Sequence, residues 1–384
     1  MAGNKKLGTA KVEKNDEFYT QLTDIEKELR HYRKHFEGKT VLCNCDDPFE
    51  SNFFKYFVLN FNRLGLKKLL ATCYSGSPIA NQQLSLFDVV GQDNENVNKP
   101  YKAIITTVYD KTGDGGVDML DVAELFKSGE NTLTELKGNG DFRSIECLEL
   151  LDEADIVVTN PPFSLFREYI TLLFEKNKHF IIMGSLNGCK YRETFPLIRD
   201  NKMWLGYYFN KTYEYKVPDD YDFIPGKYRI DENGNHYIKV PGICWFTNLD
   251  LKKRHENLIL VKKYSKENYP QYTNYDGIDV KNINDIPCDY SGIMGVPISF
   301  MGQYNPEQFE IIGLGEGDLA KEIGKFYNEQ DVYDLAKKIM GLFRKNKTIR
   351  TIISDDKRKE IMVDLDKIKR EIYKKRNGCR LEIS

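Results

Sequence analysis

Residues 154–170 read ADIVVTNPPFSLFREYI, which is an apolar run, a proline turn and an amphipathic continuation. The run 155–159 has the length and the β-branched content of a buried strand. The next four residues, Asn160 to Phe163, predict a turn, because two prolines fix their own backbone and disfavour helix in the residue before them. Residues 165–174 predict a helix. A strand, a turn and a helix in direct succession are typical of an α/β domain.

The same alternation continues on both sides of this stretch. Apolar runs at 40–45, 67–73, 103–108 and 179–183 predict further strands. Apolar residues near a 3.6-residue period predict helices with faces at Leu22, Ile25, Leu29 and Tyr32, at Phe53, Phe54, Phe57, Val58 and Phe61, and at Ile145, Leu148 and Leu151. Strands that alternate with helices imply right-handed crossovers. We therefore predict an α/β fold with a doubly wound, mostly parallel, Rossmann-like sheet.

The pattern changes after about residue 200. Residues 203–209 and 242–246 predict strands, and 227–240 predict a β-hairpin around Asn233-Gly234. Helices are predicted at 331–346 and 356–376. We place the domain boundary at 248, which gives an α/β domain of residues 1–248 and a second region of residues 249–384.

Composition sets limits on function. The chain has 384 residues, of which 41% are hydrophobic, so it can bury a substantial core. Its net charge of -2 means that any nucleic-acid-binding surface has to be local. Candidate basic patches, each of which could instead be a solvated face, are at Lys252, Lys253 and Arg254 and at Arg344, Lys345 and Lys347.

The cysteines and the N-terminus indicate a reducing compartment. Eight cysteines are scattered, and only Cys43 and Cys45 are close together. A single C-x-C pair is a poor zinc pattern, so we predict no metal site. No apolar segment opens the chain and no long uncharged apolar run occurs, so we expect a soluble cytoplasmic protein.

The turn from Asn160 to Phe163 suggests chemistry at a planar amino group, whose lone pair is conjugated and poorly nucleophilic. An Asn side-chain oxygen beside a backbone carbonyl could accept both N–H groups and pull the nitrogen toward tetrahedral geometry. The fourth residue offers a ring on which a base could stack. Methyl transfer from a sulfonium then needs positioning and electrostatics rather than a metal or a covalent nucleophile. An ordinary Asn-Pro turn is the alternative interpretation, but the carboxyl end of a strand favours a ligand site.

Six segments resemble the adenine-specific DNA methyltransferases, and most closely the EcoRI methyltransferase family. The similarity extends over about residues 15 to 315. The matching segments are NDEFYTQ at 15–21, VLCNCDDPFESNFFKYF at 41–57, GDFRS at 140–144, ADIVVTNPPFSLFREYI at 154–170, PGICWFTNLDLKKR at 241–254 and YNPEQFEIIGLG at 304–315.

The resemblance implies a role for each matching residue. Asn160, Pro161 and Pro162 would form the catalytic turn that holds the target amino group, and Phe163 would stack on a flipped-out adenine. S-adenosylmethionine would be the cofactor, bound by Tyr19, Thr20, Asp46, Asp47, Pro48, Asp141 and Phe142. Tyr19, Thr20, Asp46, Asp47 and Pro48 would surround the methionine or ribose end of this cofactor. Asp141 and Phe142 would contact its adenine.

Ordinary structural roles remain open for several of these residues. Asp46 and Asp47 could be a capping or solvated pair, Asp141 a turn aspartate and Tyr19 a core aromatic. The first loop has no Gly-x-Gly, and no acid follows the second strand, which ends at Cys73-Tyr74. The named family shares the loop without glycine, so this departure does not count against the assignment.

The resemblance also implies partners. Double-stranded DNA would be the substrate, with residues 249–384 as the target-recognition region, and a cognate restriction endonuclease could act in the same system. We expect a monomer of bacterial or phage origin. Two alternatives stay open: an RNA or protein-glutamine methyltransferase with the same turn, and a catalytically silent DNA-binding protein.

Overall fold

A computed structural model describes residues 20–45, 51–74, 100–217, 228–272, 276–314 and 380–383. These residues fall into two compact units, one within Met1–Lys253 and the other within Arg254–Ser384. Within the described ranges, no helix combines the length and the apolar character that a bilayer crossing requires.

The first unit is built on a ten-stranded sheet with the order β4-β3-β2-β1-β5-β6-β10-β7, on which β8 and β9 pair with β10. The strands are β1 Thr40–Cys43, β2 Lys68–Thr72, β3 Tyr101–Ile105, β4 Thr132–Glu135, β5 Ile156–Thr159, β6 His179–Ser185, β7 Trp204–Leu205, β8 Lys211–Val217, β9 Tyr228–Ile230 and β10 His236–Thr247.

The centre of this sheet is parallel. Strand β1 pairs in parallel with β2 and with β5, and β5 pairs in parallel with β6. The residues of β1 and β5 are all buried, as expected for strands covered on both faces. The predicted α/β fold class is confirmed. Both flanks are antiparallel, because β3 and β4 run against β2 and β3, and β10 runs against β6 and β7.

Eight helices accompany the strands in the described part of this unit. They are α1 Leu22–Leu29, α2 Arg33–Phe36, α3 Asn52–Leu59, α4 Phe61–Leu64, α5 Met119–Lys127, α6 Ile145–Glu153, α7 Phe166–Glu175 and α8 Phe195–Arg199. The face predicted for α6 is wrong at Ile145, which is 77% exposed. Leu151 is buried as predicted and Leu148 is half-buried, while Cys147 and Leu150 complete the buried face. Tyr32 is buried as expected, although α1 ends before it at Leu29.

Strand β10 is longer than the run 242–246 predicted. Its last residues lie between β6 and β7, while its first residues pair with β8 and β9. The predicted hairpin is confirmed: Gly234 has φ of 80°, and Asp231 N donates to Asn235 O at 2.9 Å. The predicted strand 203–209 is much shorter, because only Trp204 and Leu205 pair.

The second unit contains a four-stranded sheet with the order β11-β12-β14-β13. Its strands are β11 Gly277–Asp279, β12 Ile293–Pro297, β13 Ile311–Leu314 and β14 Arg380–Ile383. Among these four described strands, β11 and β12 pair in parallel, whereas β14 runs antiparallel to both β12 and β13. The helices predicted at 331–346 and 356–376 lie outside the described residues.

Candidate active site

The NPPF turn, residues 160–163, leaves the sheet at the carboxyl edge of its parallel centre. Thr159 is the last residue of β5 and pairs with Ile182 of β6. Asn160 is only 5% exposed, whereas the ring of Phe163 is half-buried. Leu165 N donates to the Pro162 carbonyl at 2.9 Å, which closes the turn before α7 begins. The turn therefore occupies the edge at which open α/β sheets bind ligands.

A glycine on β6 lets α7 start directly after this turn. Phe166, the first residue of α7, packs over Gly184, where a Cβ atom would lie 2.5 Å from the Phe166 ring. The same ring contacts Phe246 of β10 at a centroid distance of 5.0 Å. Since a Cβ at Gly184 would displace this ring, the absence of a side chain there fixes the start of α7 and with it the end of the turn.

Asn44 joins the first loop to the NPPF turn. It follows β1 and is buried, and its backbone carbonyl accepts a hydrogen bond from the Thr159 hydroxyl. Its side-chain oxygen accepts from the Tyr169 hydroxyl of α7 at 2.5 Å. Burial holds the pKa of Tyr169 well above its ordinary value, so this hydroxyl is a neutral donor. This connection was not predicted from the sequence, although a polar Asn directly after an apolar strand is a usable signal.

Thr20 lies at the same edge. Its hydroxyl donates to the sulfur of Met183 at 3.2 Å, one residue beyond the partner of Thr159. Its carbonyl accepts from the Asn52 side chain at 2.7 Å, which ties the N-terminal segment to the start of α3. The other residues predicted for this end of the cofactor, Tyr19, Asp46, Asp47 and Pro48, lie outside the described residues.

Asp141 and Phe142 are held beside the end of β2. Gly140 has φ of 77°, and a Cβ atom there would lie 1.9 Å from the Cys73 carbonyl oxygen, so only glycine fits. Phe142 is buried and meets the Tyr169 ring edge-on at 5.0 Å. The same loop therefore contacts the helix that follows the NPPF turn.

The Asp141 carboxylate accepts from the guanidinium of Arg143 at 2.9 and 2.7 Å, and this contact raises the pKa of Arg143. Arg143 also pairs with Glu168 of α7 at 2.8 Å. Arg143 therefore orients the Asp141 carboxylate. This arrangement agrees with a structural role in the turn, and it also makes the carboxylate a fixed hydrogen-bond acceptor. The structure thus brings Thr20, Phe142 and residues 160–163 to one edge of the sheet.

The structure describes three of the six predicted basic residues. Lys252 is exposed, while the Lys253 ammonium donates to the Tyr207 carbonyl at 2.7 Å. Arg254 is half-buried and belongs to the second unit. Arg344, Lys345 and Lys347 lie outside the described residues. Among the residues that the structure describes, no group of three or more His, Cys, Asp or Glu side chains could hold a metal ion.

Comparison with known proteins gives a consistent result. Residues 6–377 match the family model described as adenine-specific methyltransferase EcoRI. The chain is 44% identical to the type II methyltransferase M.EcoRI of Escherichia coli, over 83% of this chain and 93% of that protein. A type II methyltransferase of Mycoplasma genitalium is 39% identical over 79% of this chain and 84% of its own.

A third relative, the type II methyltransferase M.MpnI of Mycoplasma pneumoniae, is 36% identical over 79% of this chain and 83% of its own. No solved structure gives a significant match. The family model covers nearly the whole sequence, and the site at the end of β5 has the turn expected from the resemblance. The chain therefore belongs to the EcoRI family of adenine-specific methyltransferases.

Proposed function

We propose that this chain transfers a methyl group from S-adenosylmethionine to N6 of an adenine in double-stranded DNA. The observation that carries the proposal is the buried Asn160, followed by two prolines, at the carboxyl end of β5 in a chain of this family. Burial matters because an acceptor shielded from water interacts more strongly with a developing charge.

The NPPF turn acts on the amino group. The Asn160 side-chain oxygen and the Pro161 carbonyl accept its two N–H groups and draw the nitrogen out of conjugation with the ring. Pro162 keeps the turn extended and brings no competing N–H. Phe163, whose ring is half-buried, offers a face on which the adenine stacks once it has left the duplex. These contacts position the nitrogen for in-line attack.

The cofactor is S-adenosylmethionine, which supplies an electrophilic methyl group on a sulfonium. The described residues fit such a ligand, since Asp141 is an oriented acceptor and Phe142 an apolar ring beside the end of β2. In this proposal Thr20 and Tyr19 would bind its methionine or ribose end. Asp46, Asp47 and Pro48 would bind the same methionine or ribose end, where the two carboxylates would complement the positive charge of the cofactor.

Residues 249–384 form the target-recognition region, and residues 1–248 form the catalytic domain. Lys252, Lys253, Arg254, Arg344, Lys345 and Lys347 are candidate phosphate contacts. The chain acts as a monomer in the cytoplasm of a bacterium or of a phage host. There it protects DNA against a restriction endonuclease of the same system.

Parallel transfer assays test the proposal. The protein is incubated with tritiated S-adenosylmethionine and with duplex DNA, RNA or a mixed protein extract, and the label in each polymer is counted. Label in DNA alone supports the proposal, whereas label in RNA or protein would replace the substrate. A catalytically silent protein would transfer no label, and calorimetry would show no heat of S-adenosylmethionine binding with or without DNA.

A further inference from the structure

Two tyrosines follow β7 at the same edge of the sheet as the NPPF turn. Gly206 N donates to the Trp245 carbonyl at 2.7 Å, and Trp245 pairs with Met183 of β6. Since β7 and β6 are both antiparallel to β10, they run in the same direction. Tyr207 and Tyr208 therefore leave the sheet at its carboxyl edge, three interstrand spacings or about 14 Å from β5.

Three cations converge on these tyrosines. Arg30 donates to the Tyr208 hydroxyl at 3.0 Å, and the Lys211 ammonium lies 5.8 Å from the centre of the same ring. The Lys253 ammonium donates to the Tyr207 carbonyl at 2.7 Å and lies 5.3 Å from that ring. Arg30 and Lys211 are exposed, and within the described ranges neither forms an ion pair with a carboxylate. We call these five residues the tyrosine cluster.

Glu28 and His31 hold the two tyrosines of the cluster in place. The buried Glu28 carboxylate accepts from the backbone N–H groups of Tyr207 at 2.6 Å and Tyr208 at 2.8 Å. The His31 ring stacks on Tyr207 with a centroid distance of 3.5 Å and an interplanar angle of 7°. Burial, and then repulsion from Arg30 and Lys253, lower the pKa of His31. Arg30, Lys211 and Lys253 thus place three positively charged side chains around two tyrosines, on a chain whose net charge is -2.

We propose that the tyrosine cluster binds backbone phosphates of the DNA that carries the target adenine, an inference that rests on the proposed function. Arg, Lys and Tyr are common donors to phosphate oxygens. The Tyr208 hydroxyl accepts from Arg30, so its own hydrogen remains to be donated. His31 already covers one face of Tyr207, which favours phosphate binding over base stacking.

The location sets which phosphates are within reach. The phosphates of one DNA strand are about 3.4 Å apart along the helix axis, so a separation of about 14 Å corresponds to about four base pairs. The cluster therefore contacts DNA just outside the target base. Such contacts fix the position of the duplex against the NPPF turn and carry no sequence information themselves.

The test uses the salt dependence of DNA binding. A fluorescein-labelled duplex of mixed sequence is titrated by anisotropy between 50 and 200 mM salt with wild type and with the double variant Arg30→Gln/Lys211→Gln. Loss of two phosphate contacts makes the slope of log affinity against log salt concentration shallower by about 1.8. Over the fourfold salt increase, the fold-loss of affinity is therefore about 12 times smaller for the variant than for wild type. The matched control is Lys202→Gln, an exposed lysine just before the amino end of β7.

Conservative exchange separates charge from packing. The variant Arg30→Lys/Lys211→Arg keeps both charges, and we expect it to retain the wild-type slope. If the glutamine variant has an unchanged slope while wild type binds and methylates DNA, phosphate binding by the tyrosine cluster is refuted. The proposed function would then remain intact. If wild type neither binds nor methylates DNA, the proposed function fails, and the inference fails with it.

Discussion

Glu28 makes the stability of the protein depend on pH in an unusual direction. Its side chain is fully buried on α1 and accepts from the Tyr32 hydroxyl at 2.8 Å as well as from the two tyrosine N–H groups. Burial outweighs these hydrogen bonds and the nearby Lys253, and it raises the pKa of Glu28 from 4.5 to about 7. The folded protein therefore binds a proton that the unfolded chain has already lost between these two values.

The sign and the size follow by linkage. Because the folded state holds more protons in this window, the free energy of unfolding decreases as pH rises from 4.5 through 7. At about 1.36 kcal/mol for each pH unit, the loss is roughly 3 kcal/mol. The stabilisation is fully present below pH 4.5. We expect Glu28→Gln, which cannot titrate, to lack this decrease.

Urea unfolding followed by tryptophan fluorescence at pH 5, 6, 7 and 8 measures the effect, with the buried Trp245 as a reporter. His31 has a lowered pKa and acts in the opposite direction, but it is present in both proteins. The difference between wild type and variant thus isolates Glu28. Parallel stability curves for the two proteins between pH 5 and 8 would refute the reasoning.

Three further predictions concern the site. Gly140→Ala places a Cβ against the Cys73 carbonyl and should cost about 1–3 kcal/mol while raising the KM for S-adenosylmethionine; unchanged KM and stability would contradict the close approach. Tyr169→Phe leaves the buried Asn44 oxygen without this donor and should lower the free energy of unfolding by about 1–3 kcal/mol in urea titrations, and no loss would dismiss the contact. Phe163→Ala should weaken capture of the flipped base, so 2-aminopurine fluorescence in target DNA should fall, and equal fluorescence would argue against stacking.

The buried centre of the sheet was predictable because its strands are continuous apolar runs. Strands β1, β5 and β6 start within a residue of their predicted positions, and the NPPF turn lies between β5 and α7 as expected. In each case burial on two faces leaves a composition signal that does not depend on distant contacts.

The edges of the sheet gave no such signal. Strand β4 reads Thr-Leu-Thr-Glu and is largely exposed, so neither an apolar run nor an alternation marks it. The antiparallel direction of β3 is equally invisible, because a strand pattern does not encode the direction of its neighbour. The 3.6-residue period of apolar residues predicts Ile145 on the buried face of α6, yet it is exposed at the start of that helix.

The parts of the site that escaped prediction depend on contacts distant in sequence. Asn44 meets Tyr169 across 125 positions, and Glu28 meets Tyr208 across 180. A single sequence shows Glu28 as one more charge on an amphipathic helix, since its partners are backbone groups that carry no residue signature. Gly140 belongs to the matching segment GDFRS, but its close approach to the Cys73 carbonyl is evident only in three dimensions.

The most direct test of the central claim identifies the methylated nucleoside. Wild type and Asn160→Ala are incubated with tritiated S-adenosylmethionine and mixed genomic DNA, which is then digested to nucleosides and separated. We predict label in N6-methyladenine for wild type and its loss in Asn160→Ala, with cofactor binding largely retained in calorimetry. Wild-type transfer by Asn160→Ala, or label in a different nucleoside, would contradict the account.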